Sequence, residues 1–171
     1  IANEGYTIAG LEKDVDWQCP ISNGRMVNLS GRADRIDRRA DGSLQIIDYK
    51  SSNTPHLEYN GMEALFRGGA QERVSNIFQT MLYSMILHRK YKLESCPSLY
   101  FASKMLNDDY SPLILDRTTG AYVERFSDIS EEFESELNAT LEELFDYSTP
   151  FRQTEDEDMC KYCDFKKICR R

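Results

Sequence analysis

Positive charge is scarce in this chain. Its 171 residues carry 21 Lys and Arg against 29 Asp and Glu, a net charge of −8. Uniform attraction to nucleic acid or an anionic membrane is thereby excluded, and any such binding must come from local patches. Long apolar runs are missing too. No window approaches the roughly 18 consecutive apolar residues of a membrane span, and the start lacks the basic-then-apolar signature of an export signal. The expectation is a cytoplasmic protein with no membrane partner. Neither standard Gly-rich phosphate loop occurs, so no ATP site is visible. There is no internal repeat and no long low-complexity tract. The five cysteines are an odd number, which argues against a secreted disulfide framework. Apolar residues make up 40% of the chain, enough for one domain with a real core.

The charge is unevenly distributed. Residues 127–158 hold twelve acids, from Asp128 to Asp158, against Arg152 alone, a balance of −11 that leaves +3 for the rest of the chain. Arg32, Arg35, Arg38 and Arg39 cluster in one stretch, and Lys161, Lys166, Lys167, Arg170 and Arg171 surround the last cysteines. The acidic run suits a solvated helix face, or a face turned from DNA or towards a basic partner.

Chemistry concentrates in Gly31-Arg32-Ala33-Asp34 and, fourteen residues after Asp34, Asp48-Tyr49-Lys50. The runs Leu29 to Arg38 and Leu44 to Lys50 read as a β-hairpin turning at Asp41-Gly42. If Arg39-Ala40-Asp41-Gly42 is a type I turn with Gly42 left-handed, Arg39 pairs with Ser43 and the register sets Asp34 opposite Asp48. Both carboxylates and Lys50 then share a face. A two-residue loop on Asp41-Gly42 would send Asp48 to the other face. Two converging acids can hold a hard divalent cation, and the adjacent lysine completes a set suited to phosphodiester hydrolysis. The alternative is a surface hairpin with solvated charges.

The remaining pattern predicts an α+β order. Strands are expected near 7–18, 25–39 and 43–50, beginning antiparallel, followed by a loop from Ser51 to Pro55. A helix is predicted over about 70–90, with Val74, Ile77, Phe78, Met81, Leu82, Met85 and Ile86 at helical spacing. "PSLYFASKM", "SPLILDR" and "AYVERF" read as further strands, and Ser130 to Phe145 as an amphipathic helix. Residues 1–147 form the expected core and 148–171 a cysteine-rich tail. Gln79 and Tyr83, four apart, share a helix face. Cys160, Cys163 and Cys169 give C-x2-C-x5-C, which fits a metal or cluster in a reducing compartment.

"GRADRID" followed by "IIDYKSS" resembles motifs II and III of the RecB-like nucleases in the PD-(D/E)XK superfamily. Gln79 to Tyr83 resembles that family's Gln-x-x-x-Tyr motif, and the three cysteines resemble the tail of members with a [4Fe–4S] cluster. AddB-type helicase-nuclease subunits and CRISPR-associated RecB-like nucleases are such members. The resemblance spans residues 31–169 in the family's order. It implies an α/β/α restriction-endonuclease-like core with a central mixed sheet flanked by helices. It also implies an Mg²⁺- or Mn²⁺-dependent DNA nuclease, an exonuclease in DNA repair and recombination, working with a helicase domain or subunit. Residue by residue, Asp34 and Asp48 become metal ligands with the Tyr49 carbonyl, and Lys50 the catalytic lysine. Gln79 and Tyr83 become nucleic-acid contacts, and Cys160, Cys163 and Cys169 cluster ligands, with zinc as the rival occupant.

Two departures qualify the resemblance. The family places a histidine or glutamate upstream as a further ligand, but His56 and His88 are both downstream, and Glu4 and Glu12 are the glutamates before the hairpin. A fourth cluster cysteine is also expected upstream, where neither Cys19 nor Cys96 lies in the expected place. The chain begins at Ile1, as expected of a segment whose missing parts lie upstream. A nuclease-like module retained only for DNA binding or scaffolding, and a CRISPR-associated RecB-like nuclease, are the competing expectations.

Overall fold

The computed structural model describes residues 5–22, 24–52, 54–69 and 74–171. Glu4, Asn53 of the predicted loop and the first residues of the helix predicted from about 70 lie outside the described residues. Four strands form the main sheet: β1 (Thr7–Pro20), β2 (Met26–Arg38), β3 (Leu44–Lys50) and β5 (Ser95–Phe101), in that order. β1–β2 and β2–β3 are antiparallel and β3–β5 is parallel. A parallel pair needs a crossover, and α2 (Ser75–Tyr91) lies within it. The short strands β4 (Glu58–Tyr59), β6 (Leu115–Asp116) and β7 (Ala121–Tyr122) make a second sheet. α1 (Met62–Arg67) and α3 (Ser130–Leu144) complete the set. The mixed sheet flanked by helices is the α+β arrangement expected for a restriction-endonuclease-like fold.

The outer half of the β1–β2 arm alternates strictly. Val15, Trp17 and Cys19 pair with Gly31, Leu29 and Val27 and turn inward, while Asp14, Asp16, Asn28 and Ser30 are exposed. β3 is instead apolar on both faces, with Leu44, Ile46 and Ile47 all buried, because it pairs on both sides and is covered on both faces. α2 is buried almost all round from Thr80 to Leu87. One side lies on the sheet; towards the other, Phe78 meets Phe133 of α3 and Phe66 of α1 with ring centroids 5.8 and 5.2 Å apart. Aromatic pairs at such separations add about 0.5–1.5 kcal/mol beyond the area they bury.

The strand predicted from "PSLYFASKM" ends at Phe101. Ala102 N–H donates to the Lys50 carbonyl at 2.9 Å, and Lys104 N–H then turns back to Phe101 O. The acids of α3 are not simply solvated: Glu134 takes Arg89, and Glu136 and Glu143 share Arg67. Beyond α3 the tail consists of turns and a short 3-10 turn over Glu157–Cys160. Phe151, Tyr162, Phe165 and Ile168 are exposed there. Among the described residues no helix is long and apolar enough to cross a membrane.

Candidate active site

The turn between β2 and β3 decides the register of the site. Gly42 N–H donates to Arg39 O at 3.0 Å, Arg39 N–H to Ser43 O at 2.8 Å, and Gly42 has φ +86. This is the three-residue loop with its left-handed glycine. Asp41 supports it by accepting from Ser43 N–H at 2.9 Å, as Asx turns do. The ladder then runs Arg38↔Leu44, Asp37↔Gln45, Ile36↔Ile46 and Arg35↔Ile47.

Paired strands would next bring Asp34 opposite Asp48, but the ladder stops one pair short. β2 leaves β3 there and stays with β1, and the Asp34 carboxylate bridges the gap by accepting Tyr49 N–H at 2.8 Å. Since the Lys50 carbonyl faces β5, alternation turns the Tyr49 N–H and carbonyl towards β2, into the same gap.

Asp48 is 2% exposed, and its Oδ2 has no regular hydrogen bond. The contact it does have is a close ion pair with the Lys50 ammonium. Burial pushes the Asp48 carboxyl above its ordinary value; Lys50 opposes the shift and the Asp34 charge adds to it. The two carboxylates are therefore close enough to feel each other.

α2 holds the lysine from above. Lys50 Nζ lies 3.3 Å from Gln79 Oε1, and Gln79 Nε2 donates to the Tyr83 hydroxyl at 2.8 Å. Tyr83 is 5% exposed and lies directly on Gly31, where an added Cβ would stand 2.4 Å from its Cε1. Motif glycine, tyrosine, glutamine, lysine and aspartate thus form one continuous chain of contacts. Gln79 and Tyr83 share one helix face, as their spacing predicts; the Tyr83 ring packs inward, and the half-buried Gln79 amide meets Lys50 and the Tyr83 hydroxyl.

Two carboxylates and one turned-in carbonyl are the hard oxygen donors of the site. Among the described residues no group of three or more His, Cys, Asp and Glu side chains converges to hold a metal. Mg²⁺ in phosphoryl-transfer sites needs only one or two protein carboxylates, water and substrate oxygens filling the rest. Asp34 and Asp48 therefore fit such an ion, Asp48 being a buried carboxylate already matched to a cation, Lys50.

The tail does not make an equivalent case. Cys160, Cys163 and Cys169 are free, half-buried thiols and are one short of the four ligands that a cluster or structural zinc needs. Cys19 lies beside Asn138, and Cys96 is buried against the Val123 carbonyl, so neither supplies the fourth. The hairpin arginines are partly engaged. Arg32 pairs with Asp14, Arg35 with Asp37, and Arg38 donates to the Gly42 carbonyl. His88, at the end of α2, lies 3.2 Å from the Leu93 carbonyl and has no part in the site.

Comparison with known proteins agrees with this geometry. The family described as the PD-(D/E)XK nuclease superfamily matches residues 1–170. Over 78 residues the chain is 40% identical to a subunit of the ATP-dependent helicase/deoxyribonuclease of Streptococcus pneumoniae (strain ATCC BAA-255 / R6), covering 38% of this chain and 7% of that protein. The "Exonuclease/helicase subunit RexB" of Streptococcus pneumoniae serotype 4 matches with the same identity and coverage. The match spans only a small fraction of these relatives' length.

Proposed function

Because this chain belongs to the PD-(D/E)XK nuclease superfamily, we propose that it is a divalent-metal-dependent deoxyribonuclease domain that hydrolyses DNA phosphodiester bonds. The observation that carries the reading is the pairing of a buried Asp48 with Lys50, beside Asp34. Asp34, Asp48 and the Tyr49 carbonyl would hold Mg²⁺ or Mn²⁺. Such an ion polarises a scissile phosphate and makes water a competent nucleophile at neutral pH. Lys50 orients that water and stabilises the charge that develops on the phosphate. Its role is positioning, since its Nζ is held between Asp48 and Gln79. Gln79 and Tyr83 keep the ammonium in place.

The relatives' names describe helicase–nuclease subunits. We extend that to this chain as an exonuclease acting beside a helicase domain or subunit in double-strand-break repair and recombination, in the cytoplasm. A [4Fe–4S] cluster on Cys160, Cys163 and Cys169 completes the proposal only if a fourth ligand joins them, and it takes no part in the hydrolysis.

Protons and metal compete for Asp48, and its raised pKa fixes the sign. Mn²⁺ affinity is expected to weaken as pH falls towards that pKa, by up to about tenfold per pH unit beneath it. Without metal the same shift acts on stability. The folded chain holds the Asp48 proton more tightly than the unfolded one, so stability falls as pH rises from the ordinary carboxyl value through the raised one. Calorimetric Mn²⁺ titration at a series of pH values checks the first, and thermal melts in chelator the second.

The direct test is Mg²⁺- and Mn²⁺-dependent cleavage of linear single- and double-stranded DNA, with chelator as control. Metal-dependent cleavage supports the nuclease. DNA binding with no cleavage by folded, metal-loaded protein would leave the scaffold reading.

A further inference from the structure

The sheet face turned away from α2 carries a set of polar groups that the proposed chemistry does not use. Tyr49 lies between Asp48 and Lys50, so its side chain points to that far face while its peptide N–H reaches Asp34. There Arg35 Nη1 donates to the Tyr49 hydroxyl at 3.3 Å. Arg35 is itself held in a fork by Asp37, Nε to Oδ1 and Nη2 to Oδ2, both at 2.8 Å. The side chains are 20% and 5% exposed. The Tyr6 ring covers the guanidinium at 5.2 Å, and the Tyr49 ring leans on Tyr100 with centroids 6.0 Å apart.

Burying an ion pair confers little stability over apolar groups of the same volume. What the planar, bidentate fork does confer is a fixed direction. That direction matters here because Arg35 is the last residue of β2 laddered to β3. Beyond it the Tyr49 peptide has no backbone partner on β2; β5 ladders Asp48 and Lys50 on either side of it, and on the β2 side it is held by Asp34 and by its own side chain.

We propose that Asp37, Arg35 and the Tyr49 side chain form a positioning clamp on the far face. The clamp fixes the Tyr49 peptide and, through it, the Asp34 carboxylate and Tyr49 carbonyl for divalent-cation binding. The inference rests on the nuclease reading above. It assigns Arg35 to the interior rather than to DNA, and it makes the Tyr49 side chain matter to a site it does not enter.

The test compares the full chain with Tyr49→Phe, which keeps the ring and removes the hydroxyl, and with Arg35→Met/Asp37→Leu, which replaces the ion pair by apolar groups. Mn²⁺ binding is measured by calorimetry without DNA, beside melting temperature and the Mn²⁺ dependence of cleavage. Groups that orient metal ligands typically change metal affinity about 10–100-fold when removed. The double variant is expected to bind Mn²⁺ that much more weakly with its melting temperature not lowered, and to recover cleavage at saturating Mn²⁺. Tyr49→Phe should shift the same way by a smaller factor. A lowered melting temperature with unchanged Mn²⁺ affinity overturns the clamp and leaves a merely structural pair. Should the double variant fail to fold, Tyr49→Phe decides alone. Parent protein that neither binds Mn²⁺ nor cleaves overturns the nuclease reading and the clamp with it, whereas parent binding matched by both variants overturns the clamp only.

Discussion

Lys50→Ala is expected to lower cleavage by about 10²–10³-fold, the scale on which positioned charge-stabilising donors act, while Mn²⁺ binding survives. Asp48→Ala is expected to lose both. The split follows from what each group does in the site. Asp48 is the buried oxygen donor, and Lys50 is a cation that occupies its carboxylate in the absence of metal. Removing the ammonium takes away a competitor for that carboxylate, so Mn²⁺ affinity at neutral pH should be equal or higher. It also removes the one group that holds the Asp48 pKa down, so the loss of metal affinity on acidification should begin at a higher pH than in the parent. Calorimetry across pH, run beside a cleavage assay, reads both effects. Cleavage within tenfold of the parent in Lys50→Ala would sink the assignment of the lysine, and unchanged metal binding in Asp48→Ala would sink that of the site.

Gly31→Ala should be nearly as damaging, although Gly31 carries no functional group. Its added Cβ would lie 2.4 Å from Tyr83 Cε1 and 2.7 Å from the hydroxyl oxygen. The ring is nearly fully buried, so it can yield only by moving α2 or the β1–β2 arm. Overpacking of this kind costs about 1–3 kcal/mol. The functional cost comes through the contacts beyond: a displaced Tyr83 loosens Gln79, and Gln79 loosens Lys50. Thermal unfolding and cleavage of Gly31→Ala, Tyr83→Leu and the double variant check the chain of contacts. The smaller leucine should make room for the methyl, so the two destabilisations should be less than additive by about 0.5–3 kcal/mol. Cleavage should stay low in all three. Strict additivity, or normal cleavage by Gly31→Ala, would mean the glycine has another purpose.

Much of the hairpin was legible because its information is local. Asp41-Gly42 has the residue types of one turn, and that turn sets the register of every residue behind it. The helix carrying Gln79 and Tyr83 and the acidic helix from Ser130 were readable from spacing for the same reason. What the spacing could not show is where β2 stops pairing with β3. Neighbouring residues in a strand look alike in sequence whether their amides meet a ladder or a carboxylate, so the Asp34–Tyr49 bond is visible only in three dimensions. The four hairpin arginines look like a basic surface by composition, but Arg32 is paired with Asp14 on the surface and Arg35 is drawn into the fold by Asp37.

The sequence by itself determined the turn, the order of the elements and which residue types could do phosphodiester chemistry, since each depends on groups within a few residues of one another. Only the tertiary structure decided how those groups are used. It turned Tyr83 down onto Gly31, directed the Gln79 amide to Lys50 instead of outward, and set Arg35 and Asp37 behind the sheet. The reason is physical. Each of these contacts joins residues from different elements, and its geometry depends on how closely the elements pack. A side chain's hydrogen-bonding capacity is written in its residue type, but its partner is settled by burial, where every polar group must be satisfied by whatever the fold brings within reach.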